Sequence, residues 1–164
     1  MSVDPDEFRG VMGRFATGVT VVTLPSDPPH GITVNAFSSV SLSPPLVLIC
    51  IDHDTRAYEL LSEEVDGYSV NVLTTEQRDL GEYFANMVDL DRDPFEADPT
   101  RTGESGAPVF EESLAYVDCT VDAAHAAGDH TVYVGAVEAA EVLSPDADPV
   151  TFYDGKWGRL AADD

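Results

Sequence analysis

Lysine is almost missing from this sequence. The 164-residue chain has one, Lys156, among eight basic residues that face 31 acidic ones, for a formal net charge of −23. The acids are spread along the whole chain and not gathered in a tail. Such a balance disfavours nucleic acid and anionic membranes as partners, because both call for a positive face. It fits adaptation to high salt, where screening removes self-repulsion and carboxylates keep the surface hydrated. Cysteine is scarce too: Cys50 and Cys119 each sit in an apolar, strand-like run. There is no CxxC pair, and His30, His53, His125 and His130 are scattered. Buried free thiols and no structural zinc are therefore expected. No apolar run reaches the roughly 18 residues of a membrane helix. The opening "MSVDPDEF" has neither the basic nor the apolar part of an export signal, so the cytoplasm is the expected setting. Neither a GxGxxG fingerprint nor a GxxxxGK phosphate loop occurs.

What is present is a globular composition, 43% hydrophobic, of a length that suits one domain over 1–164 with a real core. Phe8, Val11, Met12 and Phe15 recur at helical spacing and predict an amphipathic helix near the start. "VTVVTL" at 19–24 reads as a strand, and "PSDPPHG" after it as a turn. Two strands are expected at 32–42 and 46–51, with Pro44-Pro45 as the corner between them. "HDTRAYELLSEEV" predicts a short helix capped by Asp54 or Thr55. A strand at 67–73 and a helix presenting Leu80, Tyr83, Phe84 and Met87 come next. Residues 88–108, rich in Asp, Pro and Gly, read as an exposed loop. Two more strands, "SLAYVDCTV" and "HTVYVGAVEAAEVL", are joined by "DAAHAAGD", and "PVTFYDGKWGRL" closes the chain with a strand and a Gly turn. Many strands with few, short helices predict a mainly β protein, an antiparallel barrel or sandwich.

Three stretches carry possible chemistry. In "GITVNAFSSVSLSPPLVLIC", residues 31–50, strand alternation puts Thr33, Asn35 and Phe37 on one face, followed by Ser38, Ser39 and Ser41. These polar groups either line a half-exposed sheet face or receive a polar ligand. Arg56 falls in the first turn of a predicted helix, where a cation is unfavourable for the helix dipole alone. It is either a surface partner for Asp54 or Glu59, or part of a phosphate site built from helix N–H groups and a guanidinium. His130 follows a Gly turn at the mouth of an apolar strand, beside Asp129. It is either a turn residue or a group that moves a proton or bonds a ligand edge.

Six segments in order bring a family into view: "FRGVMGRFATGVTVVT", "GITVNAFSSVSLSPPLVLICID", "SVNVL", "LAYVDCTV", "GDHTVYVGAV" and "FYDGKW". Together they resemble the flavin reductase-like FMN-binding split-barrel proteins, which include the NAD(P)H:flavin oxidoreductase components of two-component monooxygenases. The resemblance implies an antiparallel split β-barrel with a few short flanking helices, acting as a homodimer with flavin in a groove at the subunit interface. It implies that Thr33, Val34, Asn35 and Ala36 line FMN, or FAD, with Ser38, Ser39 and Ser41 close by. Cys50, Ile51 and Asp52 would follow the cofactor, Thr55 and Arg56 would hold its phosphate end, and Phe84 would complete the wall. His130 is the implied acid or positioning residue, and Gly155, Lys156 and Trp157 fall where the nicotinamide of NADH or NADPH enters. A hydride would pass from NAD(P)H to the flavin, and a flavin-dependent monooxygenase is the implied partner. The alternative is an FMN-binding electron carrier or flavin store that does not turn over NAD(P)H.

Overall fold

The computed structural model describes residues 2–161. Its order is α1 (Pro5–Met12), β1 (Thr17–Gly18), β2 (Thr20–Leu24), β3 (His30–Val34), β4 (Phe37–Leu42), β5 (Pro45–Asp52), α2 (Arg56–Glu63) and β6 (Gly67–Val72). A 3-10 turn at Thr75–Gln77 leads into α3 (Arg78–Phe84), followed by α4 (Pro94–Ala97), β7 (Thr100–Thr102) and β8 (Pro108–Phe110). Then come β9 (Ala115–Ala127), β10 (His130–Val142), β11 (Val150–Tyr153) and β12 (Lys156–Arg159). The protein is mainly β, all of its strand pairs are antiparallel, and its helices are short.

Seven strands form one sheet in the order β3-β2-β6-β9-β10-β5-β4. Laid flat, strands about 4.8 Å apart would separate β3 from β4 by about 29 Å. Yet these two edges are consecutive in the chain, linked only by Asn35 and Ala36, whose reach from Val34 to Phe37 is at most about 11 Å. The sheet must therefore curl until its edges meet, and the Cys50 N–H donating to Ala36 O at 3.1 Å continues the β4–β5 ladder into that linker. The expected single strand over 32–42 is thus two strands on opposite edges. Thr33, Asn35 and Phe37 do not share a face of one strand, because the chain changes edge at Asn35, a weak strand former. The turn is tight, with the Phe37 N–H donating to Asn35 O at 3.0 Å.

Two apolar cores result. Val22, Leu24, Val47, Ile49, Ile51, Tyr68 and Val70 fill the inside of the curled sheet together with Leu60 and Leu61 of α2. Val19, Val21, Leu73, Leu80, Phe84, Phe110 and Val150 form the second, packed by Trp157 and Phe152. β2 serves both, alternate residues facing each, which is why all five of its residues are buried. The sheet β1-β11-β12 covers the second core. Its β11–β12 hairpin turns on Asp154 (φ 50°) and Gly155 (φ 73°), the pair of left-handed residues that a two-residue turn of this hand needs.

Two further expectations are corrected. Residues 88–108 are not simply an exposed loop: they contain α4, β7 and the start of β8, and Pro94 and Ala107 are buried. The Ala-rich link at 122–129 is mostly strand. β9 runs on to Ala127, and pairing with β10 outweighs alanine's weak strand preference. The first helix forms, but none of its residues is buried, and Phe8, Val11 and Met12 stay 50–64% exposed.

Candidate cofactor cleft

β5 alternates: Val47, Ile49 and Ile51 face the core, while Leu48, Cys50 and Asp52 are half-buried on the other side. At the strand's end the Asp52 carboxylate accepts the Asp54 N–H at 2.8 Å, and Asp52 O accepts from Thr55 Oγ1 at 2.7 Å. This turn sets the start of α2, where Thr55 Oγ1 caps the Tyr58 N–H at 3.2 Å. Of the two predicted caps, Thr55 is the one used.

The start of α2 opens onto a cleft of about 780 Å³. It is lined by Asp54, Thr55 and Arg56, by Pro28, Pro29 and His30, and by Tyr83, Phe84, Phe95, Met87 and Val88. Gly31 lets the walls meet: a Cβ there would lie 2.6 Å from the Phe84 ring. Phe84 is held by Tyr83, Phe95 and Phe110, with ring centroids 5.0–6.0 Å away. Arg56 also pairs with Glu59 and Glu64, at 3.0 Å each, which raises its pKa. Of the two sequence readings of Arg56, the surface pair with Glu59 is present, and the same residue also lines the cleft. His30 is half-buried, and burial and the nearby Arg56 push its pKa below the ordinary value.

The other predicted residues are spread over the fold. Thr33 donates to Gly81 O at 2.5 Å, so its hydroxyl is committed to α3. Val34 and Ile51 are in the inner core, and only their main chain can reach a ligand. Asn35, Ala36, Ser38 and Ser39 are exposed at the edge junction, Ser41 is half-buried nearby, and the Cys50 thiol behind them has its pKa raised by burial. His130 is the cross-strand partner of Asp52, which places it at the end of the sheet where α2 begins. Its Nδ1 is 2.7 Å from Asp129 Oδ1, and the imidazole holds that carboxyl below the usual range. Gly155 and Lys156 are exposed on the closing hairpin, which docks on the end of α1 through Asp154 N–H to Gly13 O at 2.8 Å. Trp157 packs on α3, where a Cβ at Gly81 would come within 2.9 Å of it. The cleft residues His30, Tyr83 and Phe95 were not singled out from sequence. "PPHG" reads as turn chemistry, and nothing local says that α3 and α4 arrive opposite it.

A family model described as "Flavin reductase like domain" matches residues 12–161. The chain is 41% identical over 157 residues to the flavin-dependent monooxygenase reductase subunit HsaB of Mycobacterium tuberculosis, covering 94% of this chain and 82% of that protein. It is 40% identical to a Rhodococcus protein named NADH-dependent flavin reductase, covering 96% and 88%. The solved structure of flavin reductase PheA2 superposes with a TM-score of 0.88 at 37% identity, covering 98% of this chain and all of that one. The chain belongs to the flavin reductase-like family and is an NAD(P)H:flavin oxidoreductase.

Proposed function

We propose that the chain reduces flavin with NADH, with the flavin ring along the Asn35–Ala36 junction and its phosphate end at Thr55 and Arg56. The observation that carries this reading is a convergence. Thr55, Arg56 and Phe84, far apart in sequence, share one cleft with a half-buried histidine in a chain otherwise hostile to anions. The residues fit such a ligand. With the Tyr58 N–H capped by Thr55, the Arg56 and Ala57 amides at the start of α2 are the ones left without an intrahelical acceptor, and with the guanidinium they favour a phosphate. Phe84 supplies a rigid apolar wall. The exposed polar groups of Asn35, Ser38 and Ser39 suit a polyol, and main-chain groups around Ala36 suit the edge of a flat ring.

A bound flavin supplies the hydride acceptor; the protein supplies alignment and a shaped site. With its Nδ1–H donating to the Asp129 carboxylate, His130 keeps its other ring nitrogen for a nicotinamide edge. Lys156 and Trp157 of the closing hairpin belong to that nicotinamide side. The hairpin and the cleft are separate in one protomer, and a homodimer joins them. Exposed Phe8, Val11, Met12 and Phe15, with Val40 and Leu42 on the β4 edge, are the apolar surface available to a second copy. The free thiols of Cys50 and Cys119 suit the cytoplasm. The relative HsaB is by name a reductase subunit of a monooxygenase, and an oxygenase that uses reduced flavin is the proposed partner here. Purified protein at molar salt with saturating FMN or FAD should oxidise NADH. Failure to oxidise either NADH or NADPH would overturn the reading.

A further inference from the structure

Residues 88–92 run from α3 to α4 without a backbone–backbone hydrogen bond to any other described residue. Val88, Asp89 and Asp91 are exposed, and Leu90 is half-buried. This strap nonetheless lines the cleft, through Val88 and Asp89. Its polar tie is one side chain. Arg92 Nε donates to Asp98 Oδ1 at 2.8 Å and Arg92 Nη2 to Asp98 Oδ2 at 3.2 Å, a fork on the carboxylate that ends α4. The same Nη2 donates to Asp79 Oδ2 at 3.0 Å, in the first turn of α3. One guanidinium thus joins the two helices that the strap connects.

We propose that Arg92 is a positioning residue: it latches the strap at the cleft and so sets how fast flavin leaves. The flavin reductase reading enters only in naming the ligand that the strap retains. Exit matters on that reading, because reduced flavin has to reach the oxygenase that uses it.

The latch is electrostatic. Arg92 is the single cation in a hollow of about 110 Å³ lined by four carboxylates, Glu76, Asp79, Asp98 and Glu112. Its bonds to Asp98 and Asp79 raise its pKa, so the charge persists at any working pH. Asp79 and Asp98 reach the same nitrogen, so without the guanidinium they repel at close range. The fork also fixes direction, which a lone ammonium does not. Both ends of the strap are held independently of Arg92. At one end the Asn86 N–H donates to Tyr83 O at 3.0 Å as α3 closes. At the other, Pro94 is buried and Phe95 stacks on Phe110 with centroids 5.5 Å apart. Losing the latch therefore frees residues 88–92 and leaves the aromatic wall in place. A short segment with so few ties opens at low cost.

The test uses the full chain at fixed molar salt, with FMN as the probe. FMN should leave R92Q roughly fivefold faster than the parent, the loss expected of a forked, part-exposed ion pair. The KM for FMN should rise by a similar factor, while NADH oxidation at saturating FMN does not fall. R92K, which keeps the charge but not the fork, should lie between the two, and it carries the test should R92Q fold poorly. D79N added to either variant should recover part of the loss, because it removes one of the two carboxylates that the guanidinium held together; a merely structural defect would not be rescued this way. Thermolysin, which cuts before large apolar residues, should cleave the strap at Val88 or Leu90 faster in R92Q than in the parent. FMN release at the parental rate from both variants, no recovery with D79N, or strap cleavage at the parental rate overturns the proposal. Parental release in a preparation that still oxidises NADH removes the latch and leaves the flavin reductase reading standing. Cleavage needs no flavin, so it reads the latch even where NADH oxidation fails.

Discussion

His30 is half-buried beside Arg56, and both surroundings hold its pKa below the usual value of about 6.5. The unfolded chain therefore binds a proton there at pH values where the folded chain does not. More protons on the unfolded side means that stability rises with pH, so this residue's contribution is lost as pH falls through and below about 6.5. Urea midpoints taken at pH 7.5 and 5.5 should fall less in H30Q than in the parent, and equal falls would contradict the assignment. His30 also marks a limit of reading at this scale. Arg56 was visible because a cation in a first helical turn is locally anomalous, whereas a histidine after two prolines is not. Strand parity, in turn, separates Cys50 and Asp52 from Ile51, which points into the core.

Among the elements, the segment from α4 to β8 departs most from its composition. It is held by buried polar side chains on neighbouring strands. Asp118, at 0% exposure, accepts from Ser69 Oγ and from the Ser105 N–H and Oγ, the last two at 2.6 Å each. Asn71, equally buried, donates to Val21 O at 3.0 Å and accepts the Phe110 N–H at 2.9 Å. Thr23 donates to Pro108 O at 2.5 Å. A carboxylate with three donors and no cation stays buried because the donors replace its water. D118N would turn a donor toward donors and should cost roughly 2–4 kcal/mol in urea unfolding, with new protease cleavage between residues 100 and 110. A loss below about 0.5 kcal/mol, within the ordinary range for surface changes, would show that the clamp is not holding this segment. None of this is local information: the loop's own residues are turn formers, and the Asp and Asn that bind it lie on strands whose apolar neighbours drew the reading. The closing hairpin is the opposite case, since Asp154-Gly155 carries its turn in two residues.

At the scale of the molecule, the family resemblance supplied the split barrel, and strand counting alone left barrel and sandwich open. The curl follows from one fact that sequence hides, that consecutive strands β3 and β4 sit at opposite edges of the sheet. Charge was legible throughout. Arg9, Arg14, Arg56, Arg78, Arg92 and Arg101 are already ion-paired, leaving most of the 31 acids uncompensated. The Debye length shrinks from about 10 Å at 0.1 M salt to about 3 Å at 1 M, so the melting temperature should rise across that range. A flat profile would remove the high-salt reading. On this reading of the function, the curled sheet and its cleft align a nicotinamide against a flavin held by this chain. Anaerobic stopped-flow mixing of the flavin-loaded protein with NADH tests it most directly. Bleaching of the oxidised-flavin absorbance, saturating in NADH and slowed by H130A, is the predicted result. A flavin that binds tightly yet stays oxidised would contradict it and leave a carrier or store.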